Sequence, residues 1–145
     1  MSPLLLLSLA ACGKGALDLN FTSLDWGEVD FQSDTCQDCQ CEEGCGATLL
    51  ELTNVGDAAL NVEIPDGLDP DRFCLQGFDD LSDPIVLPEL APDDAYVLTL
   101  AVCGYLPGEQ TLTVSGEIRF VTDGAEEVVD LPWTYTPIRD QSDRR

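Results

Sequence analysis

Seven cysteines and a scatter of aspartates are the residues in this chain whose types and spacing could do chemistry. Four of the cysteines form the run Cys36-x2-Cys39-x-Cys41-x3-Cys45. Four thiolates this close can build a tetrahedral sulfur site for zinc, but zinc ribbons and knuckles pair their ligands as C-x2-C units, and the Cys39-x-Cys41 step departs from that spacing. Disulfides are therefore the favoured reading. A redox role for Cys36-x2-Cys39 would need a neighbouring cation to lower a thiol pKa, and the run contains no Lys, Arg or His. Asp66, Asp69 and Asp71, with Asp79, Asp80 and Asp83 nearby, offer oxygens to calcium but not in the D-x-D-x-D-G register of a ligating loop, so a solvated acidic loop is favoured over a metal site. With no histidine in the chain, Ser-His-Asp and Cys-His pairs are unavailable, and neither G-x-S-x-G nor a phosphate-cradling glycine loop occurs. The expectation is a protein that is not an enzyme and carries no cofactor.

The first twelve residues account for the odd cysteine. Leu4 to Ala11 is an uninterrupted apolar and small run ending in Leu9-Ala10-Ala11-Cys12-Gly13. Eight residues are too few to span a bilayer, and the run reads as an export signal. It resembles the bacterial lipobox, which implies that Cys12 carries a diacylglycerol and becomes the first mature residue. No Lys or Arg precedes the run. Six cysteines then remain, Cys36, Cys39, Cys41, Cys45, Cys74 and Cys103, an even set for an oxidising compartment. Six thiols allow fifteen pairings. The favoured set joins Cys74 to Cys103 and makes two bridges within or near the cluster, each contributing on the order of 2–4 kcal/mol. Gly13, rather than Asp, follows the lipidated position, which points to the outer membrane or cell surface.

Composition bounds the rest. The chain has 145 residues, 44% of them hydrophobic, and 28 acids against 6 bases give a net charge of −22. That length suits one domain with a real core. The charge repels nucleic acid and anionic lipid head groups, which leaves a lipid anchor and other envelope proteins as the expected partners. The acids are spread from Asp18 to Asp143 and form no block of the kind that marks a disordered tail.

The elements that must position these residues read as strands. In Ala47 to Pro65, Leu50 and Leu52 share one face of a first run, and Leu60, Val62 and Ile64 share one face of a second, with Asn54, Gly56 and Asp57 as turn chemistry between them. Leu17, Leu19 and Phe21 alternate with polar residues, and Leu24 to Phe31 continues after a break at Ser23, giving a two-part edge strand in which Gly27 suits a bulge. Short strands are expected near Arg72 to Leu75 and Ile85 to Leu87. Tyr96, Leu98, Leu100 and Val102 share a face, as do Leu112, Val114, Gly116, Ile118, Phe120 and Thr122, and then Val129, Leu131, Trp133 and Tyr135. Asp123-Gly124 predicts a type I′ hairpin turn, and Pro132 predicts that one side of the return strand is unpaired or that its ladder ends nearby. No amphipathic helix of useful length appears. About seven short strands with turns every ten residues or so predict one antiparallel β-sandwich of the immunoglobulin type.

Several motifs, in order, resemble a known module. Leu24-Asp25-Trp26-Gly27-Glu28-Val29, Leu52-Thr53-Asn54-Val55-Gly56-Asp57-Ala58-Ala59-Leu60-Asn61-Val62, Phe73-Cys74-Leu75, Leu90-Ala91-Pro92-Asp93-Asp94 and Pro107-Gly108 are similar to the pattern of the ASPM, SPD-2, Hydin type of immunoglobulin-like domain, also called choice-of-anchor D. The resemblance covers about Leu17 to Thr136. It implies a seven-stranded sandwich related to major sperm protein and pilus-chaperone domains, used as a binding or spacer module without catalysis. Asn54 and Gly56 are expected to take left-handed backbone in the turn, Pro92 to preset φ at a strand entry, and Trp26 to fill the space between sheets with its indole N–H on a backbone acceptor. The organisation expected is a signal peptide at 1–11, a lipidated tether at 12–16, a sandwich at 17–137 with a Cys-rich loop at 33–46, and a polar tail at 138–145. The function expected is a structural or protein-interaction module on the bacterial envelope; a metal-binding or sensing lipoprotein, using the Cys-rich or Asp-rich loop, is the alternative.

Overall fold

The computed structural model describes residues 13–30, 47–78 and 80–138. Cys12, the four clustered cysteines and Asp79 lie outside these residues. Nine strands are present: β1 (Leu17–Leu19), β2 (Leu24–Asp30), β3 (Thr48–Asn54), β4 (Val62–Ile64), β5 (Phe73–Leu75), β6 (Ile85–Val86), β7 (Ala95–Val102), β8 (Val114–Thr122) and β9 (Val128–Ile138). They form a four-stranded sheet in the order β1-β3-β7-β5 and a five-stranded sheet in the order β2-β9-β8-β4-β6. This is the ABED-against-GFC arrangement of an immunoglobulin-like sandwich, with β2 and β6 added at the edges of the second sheet. The fold class read from the sequence is correct. The strand count is higher than seven, and the β2–β9 pair is parallel, so the sandwich is not wholly antiparallel.

Period-two patterning decided which faces meet. Leu50 and Leu52 of β3, Leu98, Leu100 and Val102 of β7, Ile118 and Phe120 of β8, and Leu131 and Tyr135 of β9 are all buried in one core. Successive side chains on a strand point to opposite faces, so these residues cover the inner faces while Glu51, Glu117 and Asp130 stay outside. The two-part edge strand is real and spans both sheets: β1 pairs with β3, the chain crosses at residues 20–23, and β2 pairs with β9. Gly27, at φ 63°, sits in the register shift between Asp25 and Glu28. The ladder of β2 on β9 starts at Trp133, next to Pro132, which lacks the N–H another bond would use.

The two strands read within Ala47 to Pro65 are present as β3 and β4, which lie in different sheets. Two turn expectations are corrected. Asp123-Gly124 is not a two-residue type I′ turn, since neither residue has positive φ. A longer connection is closed instead by Thr122 N donating to Glu127 O at 2.8 Å and Thr122 Oγ1 donating to Glu126 O at 2.6 Å. Gly124 is small for another reason: a Cβ there would stand 2.4 Å from Gly15 O.

Asn54 and Gly56 likewise have ordinary φ, and their roles are not left-handed turn roles. Asn54 is fully buried. Its Oδ1 accepts from Ala16 N (3.1 Å) and Gly56 N (2.9 Å), and its Nδ2 donates to Ala58 O (2.8 Å) and Leu90 O (2.9 Å). Its own N–H donates to Asp94 O, and its carbonyl accepts from Asp93 N. Gly56 lets the N-terminal segment pass, since a Cβ would lie 2.3 Å from Lys14 O. Residues 13–16, within the expected tether, are bonded to the fold: Lys14 O accepts from Asp57 N, Gly15 O from Ala125 N and Ala16 O from Val55 N. Replacing the side chain of Asn54 by a methyl would remove the partner of Ala16 N, Gly56 N and Ala58 O, whereas Leu90 O would keep its bond from Leu60 N. Asn54→Ala is expected to cost about 3 kcal/mol in urea unfolding with the m-value unchanged, the signature of lost native contacts rather than a more compact denatured state.

Candidate functional site

The polar chemistry of the described residues converges at one end of the sandwich, where β5 begins, β7 ends, β8 begins and β9 ends. Local turns deliver each group. Asp69-Pro70-Asp71 is a turn in which Asp69 Oδ1 accepts from Asp71 N (2.9 Å) and Asp69 O accepts from Arg72 N (3.0 Å), with proline at the position that wants φ near −65°. It carries Arg72 to the mouth of the core. Leu106-Pro107-Gly108-Glu109 is a second turn, closed by Glu109 N donating to Leu106 O at 3.1 Å, with Gly108 at φ 87°. It brings Glu109 opposite.

Arg72 and Glu109 form a two-pronged ion pair, with Nη1 donating to Oε1 at 2.8 Å and Nη2 donating to Oε2. Arg72 Nη1 also donates to Tyr135 Oη at 3.1 Å, and Tyr135 Oη donates to Gly104 O at 2.8 Å. Leu106 N closes the set by donating to Glu109 Oε1. The guanidinium lies 5.7 Å from the centre of the Trp133 ring, which stacks on Tyr135 (5.8 Å) and meets Phe73 edge-on (5.1 Å). Gly116, opposite Trp133 on β8, leaves room for that indole, because a Cβ would be 2.6 Å from it.

The side chains of Arg72 and Glu109 are only 13% and 18% exposed, so the pair is weakly screened. The Arg72 hydrogen bond holds the Glu109 carboxyl below its usual range, the same bond raises the Arg72 guanidinium, and burial pushes the Tyr135 phenol up. Every one of these groups is satisfied by another. The arrangement binds the β7–β8 connection to β5 and β9; it offers neither a nucleophile–base pair nor an empty anion site.

Cys103 lies beside this cluster. The Cys74–Cys103 bridge is not formed: Cys103 has a free thiol, whereas Cys74 is disulfide-bonded. Register explains why. Cys74 sits opposite Ala101, and Cys103 N bonds to Arg72 O, so the two cysteines are diagonal neighbours on one face. Diagonal positions on paired strands stand about 7–8 Å apart, beyond the reach of a disulfide. The Trp26 indole does find a partner, but it is the side chain of Thr48 (Oγ1, 3.0 Å) rather than backbone.

The aspartates do not assemble. Among the described residues no three Cys, Asp or Glu side chains stand close enough to hold a metal ion. Asp69 faces Arg72, with Oδ2 3.7 Å from Nε, and Asp66 is exposed. Asp80 accepts from Ser82 N (3.1 Å) and Ser82 Oγ (2.7 Å), which lowers its carboxyl, and Asp83 beside it is raised. Sequence reading named Arg72 only as a strand start and passed over Glu109. The signal was present: Arg72 is the sole cation between Lys14 and Arg119.

Two measurements follow from this geometry. Because the folded-state pKa of Glu109 is depressed, its contribution is complete above the ordinary glutamate value near 4.5 and is lost as pH falls through the lower folded-state value. Glu109→Gln should cost on the order of 2 kcal/mol at pH 7, less than a fully buried pair because both side chains keep some solvent contact. That difference should shrink when urea unfolding is repeated at pH 3. Burial raises the Cys103 thiol, so at pH 7.5 its alkylation by iodoacetamide should run at least about tenfold slower in the native state than in urea.

No protein-family model and no curated protein sequence matches the chain. Solved structures do. One is a protein of unknown function from Porphyromonas gingivalis W83, with a TM-score of 0.54 and 19% identity, over 87% of this chain and 48% of that one. Another is the periplasmic chaperone SfaE, with a TM-score of 0.49 and 11% identity, over 89% of this chain and 62% of that one. The chain thus spans less than two thirds of either. The first likeness is one of fold, and it agrees with the all-β immunoglobulin-like sandwich described above.

Proposed function

We propose that this chain is an envelope-anchored lipoprotein whose immunoglobulin-like domain acts, without catalysis, as a structural or protein-interaction module. The observation that carries the reading is the join between the lipobox-like Leu9-Ala10-Ala11-Cys12-Gly13 and the body of the domain. Lys14, Gly15 and Ala16 bond directly to β3, its following turn and the β8–β9 connection. A lipid on Cys12 would hold the sandwich within a few residues of the bilayer surface, and a net charge of −22 would keep its flanks off anionic head groups. The disulfide at Cys74 fits an oxidising compartment, and Gly13 fits retention at the outer membrane.

The finer affiliation with ASPM, SPD-2, Hydin-type domains draws support from where its motifs fall. Leu24-Asp25-Trp26-Gly27 forms β2 and its bulge, and Asn54 and Gly56 clamp the N-terminal segment. Pro92-Asp93 makes a turn closed by Asp94 N donating to Ala91 O at 3.0 Å, with Asp93 at φ 69° where the family pattern has glycine.

Lipidation is the first point to test. Expressed in a Gram-negative host, the full chain should appear in the membrane fraction with a diacylglyceryl adduct on Cys12 by intact mass. Cys12→Ser should abolish both the adduct and membrane retention. An unmodified Cys12 in the exported wild-type protein would sink the anchor and leave only a secreted sandwich.

A further inference from the structure

One strand edge in the sandwich is half open. β8 pairs with β9 from Val128 to Tyr135, but β2 covers the other side of β9 only from Trp133 onward. Backbone groups of successive strand residues alternate in direction. Glu127 O faces β8, where it accepts from Thr122 N, so Val129 and Leu131 also direct their groups to β8. Val128, Asp130 and Pro132 therefore direct theirs to the opposite side, and over these residues no described strand pairs with them. That side offers the N–H groups and carbonyls of Val128 and Asp130, while the carbonyl of Pro132 is where the β2 ladder begins.

Beside this edge the two sheets stand apart. A groove of about 280 Å³ runs between β1 and the first half of β9. Leu17, Leu19 and Val129 have the parity of core residues yet are only half-buried, and Phe21 is 37% exposed. Core-facing side chains left partly wet at a sheet edge are what an additional strand would cover. Acids frame the groove: Asp18 and Glu126 are exposed and pair with no cation among the described residues, while Asp130 pairs with Arg119 at 2.9 Å. A second copy of this chain would bring the same acids against one another on a body of charge −22.

We propose that the open half of the β9 edge receives an extended segment from a protein partner, a strand of about five or six residues in which apolar side chains alternate with Lys or Arg. The apolar residues of that strand turn inward onto Leu17, Phe21 and Val129. Its basic residues meet Asp18 and Glu126, and its backbone bonds to Val128 and Asp130. Pro132 ends the added ladder where β2 begins. This proposal rests on the interaction-module reading and names its contact surface.

The test uses the full chain, isotope-labelled, with an acetylated and amidated peptide of about seven residues alternating Val and Lys. Exchange of the Val128 and Asp130 amides is expected to slow at least about tenfold on saturation, with shifts at Phe21 and Val129. The Asp18→Lys, Glu126→Lys double variant, altered only at exposed positions, should bind the peptide at least about tenfold more weakly and gain affinity for the Val/Glu counterpart. Absence of binding, protection at another edge such as β6, or protection that appears without peptide and tracks self-association would each overturn the proposal. Pull-down from the native membrane separates it from the reading beneath it. A partner held equally by wild type and double variant leaves the module standing and removes this surface; a peptide that protects β9 keeps the surface even where no native partner is captured.

Discussion

The buried amide of Asn54 is the contact on which the arrangement of the chain depends. One side chain satisfies backbone groups from the N-terminal segment, from the turn after β3 and from the stretch before β7. Each of these segments crosses the same end of the sandwich, where strands stop and their polar groups would face apolar side chains. An unpaired buried amide or carbonyl costs on the order of 1–3 kcal/mol, so the three groups that have no other partner, Ala16 N, Gly56 N and Ala58 O, would together consume much of the stability of a domain this size. A carboxylate there could not donate, and a hydroxyl could not reach four partners; an amide has two donor hydrogens and an acceptor with two lone pairs. Gly56 and Gly124 belong to the same construction, because only residues without Cβ let the N-terminal segment pass between them.

The other end is closed by charge. In a chain this acidic, a single arginine placed against two aromatic rings and a half-buried carboxylate gathers the β7–β8 connection, the start of β5 and the end of β9. The strength of such a pair comes from weak screening and from the hydrogen bonds that hold both partners. The Cys-rich stretch leaves β2 after Asp30 and enters β3 at Thr48, so both of its stems stand at this end, with the Trp26–Thr48 bond tying the two strands together between them. Cys74 and Cys103 are at this end as well. The described strands on either side of residues 31–46 therefore meet that stretch where the sandwich is held by charge and aromatic stacking, away from the neutral Asn54 clamp that secures residues 14–16.

Much of the fold was legible in the sequence because period-two alternation is a local signal. Leu98-Leu100-Val102, Ile118-Phe120 and Leu131-Trp133-Tyr135 could be assigned to a core by counting, and Pro132 marked the limit of a ladder, since a missing N–H is a chemical fact independent of neighbours. The turn assignments failed where a small or amide residue was read for its own backbone freedom. Asn54, Gly56 and Gly124 all have ordinary φ, and their constraint comes from chain segments 38 or more residues away: Ala16 for Asn54, Lys14 for Gly56, Gly15 for Gly124. A Cβ clash with a distant carbonyl leaves no local trace.

The sequence by itself determined an all-β sandwich, an acidic composition and the lack of histidine chemistry, because hydrophobic period, charge and residue inventory belong to each short stretch independently. Tertiary structure alone decided which strands share a sheet, that β1 and β2 divide between two sheets, that Cys74 and Cys103 stand diagonally instead of facing, and that Arg72 meets Glu109 across 37 residues. It alone decided that half of one strand edge stays open beside half-wet core side chains. Register and pairing are cooperative properties of the whole fold: sliding a strand or exchanging its partner leaves the alternation of its own sequence intact while changing every contact that follows from it.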